Sequence, residues 1–188
     1  MALTGPMGGH DDGPRAASSF QGPVAGGPLG LRATAARYAL LPLRLFLGIT
    51  FVYAGLDKLT DRNFLTGTGP GSLAGILEGA HDTAAAAWMV ELAQHSPEGF
   101  GLAIAIGELA VGAGTLLGLW GRLAALGGAL ISFSLWMTVS WSSDPYYYGN
   151  DLAYLMAWLP LVMAGAPMFS LDALLAVRRR RRGQQIFG

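Results

Sequence analysis

Glu108 stands near the middle of residues 100–120, a stretch that is otherwise apolar, uncharged and long enough to cross a bilayer. A carboxylate at that depth calls for a partner or a polar cavity, because hydrocarbon solvates charge poorly. Two uses fit it: a polar staple that fixes helix register, or a group that gives and takes a proton. Other side chains could act with it. Arg44 is the one charge within residues 38–56, and Tyr53 offers a phenol in the same stretch. Lys58 lies just beyond, where it could pair with Asp151 or present a cation to an anion outside the membrane. Tyr148 heads the sequence Tyr148-Gly149-Asn150-Asp151, in which Asn150 and Asp151 could bind a ligand or simply cap a helix. Glu108, Arg44 and Tyr53 are therefore the candidate catalytic groups, and Lys58, Tyr148, Asn150 and Asp151 the candidate substrate-binding ones.

Which of these meet depends on the elements that carry them. Hydrophobic residues make up 52% of the chain and charged residues only 13%, a balance typical of a small integral membrane protein. Residues 38–56, 100–120, 123–141 and 152–168 each approach the ~20 apolar residues that span the hydrocarbon core as helix. The apolar runs are continuous rather than alternating, which favours helices over barrel strands. Gly121-Arg122 leaves room only for a tight turn, so the second and third spans should be antiparallel. The expected fold is all-α: an integral membrane bundle of four antiparallel transmembrane helices, with short helices in an external loop. At ~1.5 Å per residue, Arg44 is roughly 9 Å from Tyr38, Tyr53 roughly 22 Å from Tyr38, and Glu108 roughly 18 Å from Trp120. On that count Glu108 would bond Tyr53, or Arg44 if the arginine reaches outward; the other reading of Arg44 is that it snorkels to the interface.

Charge is distributed by side. Arg15, Arg32, Arg37, Arg122 and the arginines at 178–182 fall on one side of the four spans, while eight carboxylates accompany Lys58 and Arg62 on the other. The positive-inside rule makes both termini cytoplasmic and the 60–98 and 142–150 segments external, in a multi-pass protein of the cell membrane. Residues 1–35 read as a flexible cytoplasmic tail, 36–176 as the transmembrane domain and 177–188 as a basic cytoplasmic tail. No apolar signal-peptide core is evident near the N-terminus. The chain has no cysteine, and His10, His81 and His95 lie outside the apolar stretches. No haem, metal or iron–sulfur cluster is expected in it.

The 60–98 segment contains a Gly-rich turn at 66–71 and helical candidates at 72–79 and 83–94, long enough together to cover the external face. Ser96-Pro97-Glu98 reads as N-cap, first helical position and acidic first turn. Ala110, Gly114 and Gly118 form a small-residue stripe against which another helix could pack. Trp120, Trp141 and the tyrosines at 146–148 fall where aromatic belts lie.

The segments Leu43-Arg44-Leu45-Phe46-Leu47-Gly48, Phe51-Val52-Tyr53-Ala54-Gly55-Leu56-Asp57-Lys58 and Ile106-Gly107-Glu108-Leu109-Ala110 resemble the DoxX/DoxD superfamily. The likeness continues through Leu119-Trp120-Gly121-Arg122, Pro145-Tyr146-Tyr147-Tyr148-Gly149-Asn150-Asp151 and Ser170-Leu171-Asp172, and covers roughly residues 38–175. The tyrosine-rich loop most resembles the DoxD branch, the membrane subunit of thiosulfate:quinone oxidoreductase. That resemblance implies a subunit passing electrons from thiosulfate to a membrane quinone, its acceptor, with Arg44, Lys58, Glu108, Asn150 and Asp151 as the polar residues carried over. Expected partners are the lipid bilayer, the quinone and a second redox subunit or respiratory complex, with no nucleic acid. The alternative is a non-catalytic accessory or assembly subunit of such a complex, suggested by the missing cofactor motifs and the long external segment. Eight carboxylates on the external side already weigh against strong attraction of an anion there.

Overall fold

The computed structural model describes residues 38–165 and 170–172, with positions 35 and 175 beside them. Most of the 1–35 tail and all of the 177–188 tail lie outside the described residues. Among those described, every regular element is a helix: α1 (Leu41–Thr60), α2 (Arg62–Thr66), α3 (Leu73–Ala80), α4 (Ala87–Gln94), α5 (Pro97–Leu117), α6 (Gly121–Thr138) and α7 (Asn150–Ala164). A 3-10 turn at Tyr146–Tyr148 precedes α7.

Local chemistry sets these boundaries. Proline in its first turn opens α1, a position where a missing N–H costs nothing. Asp61 ends α1 and its side chain caps α2, while Ser72 caps α3 through Gly75 N. Helix α5 begins at Pro97 as expected, but the Ser96 hydroxyl makes no capping bond. Gly118 and Trp120 both adopt left-handed backbone, with φ of 63° and 49°, and turn the chain tightly from α5 into α6. Of the described helices, Pro97–Leu117 is the one long and apolar enough by composition to cross a membrane. Helix α1 carries Arg44, Asp57 and Lys58; α6 is diluted by Arg122, glycine and serine; and the expected 152–168 stretch passes partly outside the described residues.

Helices α1 and α5 form the most extensive contact, α6 and α7 the next. The first is backbone against backbone. A Cβ at Gly112 would stand 2.6 Å from Val52 N and 2.8 Å from Gly48 O, and one at Gly55 would stand 2.7 Å from Ala105 O. Those contacts fix the register: Gly48 lies beside Gly112, and Gly55 lies between Ala105 and Leu109. The Ala110, Gly114, Gly118 stripe does not serve this purpose. Ala110 is exposed, Gly114 faces Ala124 of α6, and Gly118 makes the turn. Leu47, Phe51, Val111, Ala125, Ala129, Trp158 and Leu161 fill the space among the four long helices. Trp158 is wholly buried over Gly128 and meets Phe51 edge-on at 4.9 Å.

The segment between α1 and α5 forms a cover at one end. Leu73, Leu77, Val90 and Ala93 build a second small core, joined by Phe64 and Phe100. Two short helices sit close to the expected positions, with α2 added where only a loop is expected. Ala86 N donates to Met137 O, which ties α4 to the end of α6.

At the opposite end Arg44 is 4% exposed and donates from Nε to Thr115 O at 2.6 Å and from Nη2 to Leu116 O at 2.7 Å. It thereby satisfies carbonyls at the C-terminus of α5, where a cation also suits the helix dipole. Asp172 accepts from Trp120 N and Gly121 N, both at 3.0 Å, and does the complementary work for the start of α6. One arginine and one aspartate thus close both halves of the α5–α6 turn.

Two outcomes follow for unfolding measured in detergent. Gly112→Val should destabilise the protein by about 1–3 kcal/mol or more by forcing α1 off α5, whereas Ala110→Val should change it by less than about 0.5 kcal/mol. Arg44→Lys keeps the charge but loses the planar fork, and should destabilise by about 1–3 kcal/mol.

Candidate functional site

The register set by Gly55 places Glu108 one turn short of Lys58. Lys58, in the last turn of α1, folds its stem back along the helix and reaches the carboxylate. Its Nζ lies 2.8 Å from Oε2 and 3.0 Å from Oε1. The Glu108 side chain is 4% exposed and that of Lys58 22%.

Both expected partners of Glu108 stand elsewhere. Arg44 is turned to the α5 carbonyls, and Tyr53 is 71% exposed on the outer face of α1. The depth count places Tyr53 near the level of Glu108, and the glycine register keeps it there, but Tyr53 points to the outer face of α1. Because α5 ends level with Arg44 rather than Tyr38, Lys58 stands only about one turn beyond Glu108, close enough for its long side chain to reach back.

Asp151 lies in the first turn of α7, where Ser140 Oγ donates to its Oδ2. Gly149 is the N-cap residue of α7 and no side chain caps it, so neither Asn150 nor Asp151 performs the expected capping. Asn150 is exposed. Tyr146, Tyr147 and Tyr148 are each at least 65% exposed and pack edge-on against one another; Tyr148 is not brought to the Lys58–Glu108 pair.

Lys58 and Asp151 do share a space, a cavity of about 210 Å³ between the covering segment and the ends of α5 and α6. Phe64, Leu73, Ile76, Leu77, Met89, Phe100 and Ile104 supply most of its wall. Ser134 and Thr138 also line it, but their hydroxyls donate to Ile131 O and Ser134 O of their own helix. Among the described residues Lys58 and Asp151 are its only charged lining, and Lys58 Nζ sits 5.9 Å from the centre of the Phe64 ring. Glu108 stands behind Lys58. The cluster holds two carboxylates against one ammonium, so when fully ionised it carries one excess negative charge.

That arrangement favours a neutral molecule or a proton over an anion. The ammonium has three N–H groups, and the two carboxylate oxygens leave one for a carbonyl or hydroxyl oxygen in the chamber. The volume is below the ~300–1,000 Å³ of pockets for drug-sized ligands and suits a single ring. Of the seven candidate residues, the fold gathers Lys58, Glu108 and Asp151, and leaves Arg44, Tyr53, Tyr148 and Asn150 outside. Sequence reading missed Ser140, Phe64 and Met89. Ser140 had a faint signal, as a hydroxyl at the helix end facing Asp151 across a short loop. Among the described residues no group of three or more histidine and carboxylate side chains stands together as a metal site.

No curated protein and no solved structure matches the chain. A family model, that of DoxX, matches residues 39–141. The match takes in Arg44, Lys58 and Glu108 with the helices that hold them, and it ends before Tyr148, Asn150 and Asp151. It covers more than half of the 188 residues, and the chain accordingly belongs to the DoxX family of membrane proteins.

Proposed function

We propose that this protein is a quinone-binding membrane subunit of a thiosulfate:quinone oxidoreductase. The observation that carries the reading is the ring-sized apolar chamber whose charged lining is Lys58 and Asp151, with Glu108 behind Lys58. In this reading all four long helices cross the cell membrane, with the Arg122 end cytoplasmic and the covering segment outside. The quinone is a substrate: two thiosulfates give tetrathionate and two electrons, and quinone with two electrons and two protons gives quinol. Lys58 holds a ring oxygen through its remaining N–H. The apolar walls formed by Phe64, Leu73, Leu77 and Met89 exclude water, and Glu108 keeps Lys58 charged and aimed.

Thiosulfate itself is assigned to a partner subunit. Lys58 is already neutralised by Glu108, and Asp151 adds a further negative charge beside it, so a dianion would meet net repulsion. A second reading, an accessory subunit without chemistry, draws on the outer face of α4. Trp88 and Leu92 are 67% and 62% exposed there, at helical spacing, as a partner-binding face would be.

Purified protein in lipid should bind a short-chain quinone and, with its thiosulfate-oxidising partner, reduce it. Glu108→Gln should lower that rate by about a hundredfold or more while retaining helix content. Lys58→Met alone should destabilise by up to about 3 kcal/mol, because it strands the carboxylate, while Lys58→Met with Glu108→Leu should recover the fold without quinone binding. Full quinone reduction by the double variant would overturn the assignment. A wild-type protein that binds its partner but no quinone would favour the accessory reading.

A further inference from the structure

The hydrogen-bonded polar groups of the chamber lead towards one end of the molecule. Asp151 lines the chamber beside Lys58 and is half-buried; Ser140 donates to Asp151 and is half-buried in turn; Trp141, Ser142 and Asn150 around them are exposed. Asp151 and Ser140 therefore lie between the Lys58–Glu108 pair and water at the end of the molecule covered by α2–α4. In the opposite direction Glu108 is followed by Leu47, Phe51, Val111, Ala125 and Trp158, each 9% exposed or less; Ser132 and Thr115 are buried among these helices, and the Thr115 hydroxyl has no hydrogen-bond partner among the described residues through which a proton could pass. Beyond that apolar layer Arg44 has turned its donors to the α5 carbonyls.

We infer that the site exchanges protons with the covered, loop-bearing end of the molecule through Asp151 and Ser140, and is sealed from the Arg122 end. The charges around the site are few. Lys58 faces Glu108 from α1 and Asp151 from α7, whereas Asp57, Arg62, Glu78, Glu91 and Glu98 are exposed on α1 to α5, and Arg122, the only charged residue of α6, is at the far end. Two carboxylates sharing one ammonium leave one excess negative charge, which a single proton cancels. Asp151 is the carboxylate through which that proton enters, because it accepts from Ser140, which adjoins the exposed Trp141 and Ser142. The inference rests on the quinone reading for the use made of the proton, not for its path: each quinone reduced takes two protons along with two electrons, and both would come from the loop-bearing side.

The test needs no turnover. The full chain is inserted in one orientation into sealed vesicles, and the pH is dropped on one face while the infrared carboxyl bands are followed, assigned by Glu108→Gln and Asp151→Asn. A drop at the loop face should protonate the site within the mixing time, and a drop at the Arg122 face should leave it unchanged until the gradient leaks. Ser140→Ala should slow the loop-face response by on the order of a hundredfold, the low end for a positioned proton-transfer group, and Ser140→Thr should restore it. An equal response from the Arg122 face, or no slowing in Ser140→Ala with normal helix content, overturns the route. A protein that titrates from the loop face yet binds no quinone removes the quinone reading and supports the route. One that reduces quinone but titrates from the Arg122 face overturns the route alone.

Discussion

The backbones of α1 and α5 touch, and the touching is done by Gly48, Gly55 and Gly112. Side chains in lipid gain little from burying apolar surface against one another, so helices associate by close van der Waals approach, which glycine permits. At Gly55 and Gly112 a single methyl group would overlap a backbone nitrogen or oxygen of the other helix, and at Gly48 it would overlap the Leu116 side chain. One consequence is register. With the two helices locked along their length, Lys58 has one place to put its ammonium, and Glu108 is there. Another is burial, since the Glu108 side chain held at this contact is 4% exposed.

The ion pair that results should not be read as a source of stability. Withdrawing an ammonium and a carboxylate from water costs several kcal/mol per ion, and their attraction in a medium of low polarity roughly returns it. Lys58 also lies partly exposed, which weakens the attraction further. What the pair does offer is an ammonium held in a fixed direction beside a chamber lined mostly by apolar side chains, with Asp151 as its one other charge among the described residues. Arg44 shows the contrasting use of a buried cation. Its partners are backbone carbonyls, and it finishes a helix rather than addressing a cavity.

Much of this was legible from residue types. Continuous apolar runs, Pro97 and the Gly121-Arg122 turn announce helices and their ends, and a lone carboxylate in an apolar helix announces the candidate site. Pairing was not legible, because it depends on where neighbouring helices end relative to each other. Counting from Tyr38 and Trp120 gives depth but not facing: Tyr53 is close to the level of Glu108 yet lies on the outer face of α1, while α1 overhangs α5 far enough for Lys58 to reach back. The packing glycines were equally hidden. Gly114 and Gly118 are spaced like an interface and serve a different helix and a turn, while Gly112 offers no pattern of its own. Asp151 and Ser140 meet only because the loop between them folds back, which no local spacing reveals.

The carboxylate that closes the α5–α6 turn belongs to Asp172, more than fifty positions downstream of the amides it receives. A ribosome releases the hairpin well before that aspartate, so the newborn turn leaves its N–H groups to water or to lipid headgroups until the last helix is complete. The chain thus carries its own sign of completion: a protein shortened before residue 172 would retain every long helix and still leave the central hairpin unfastened.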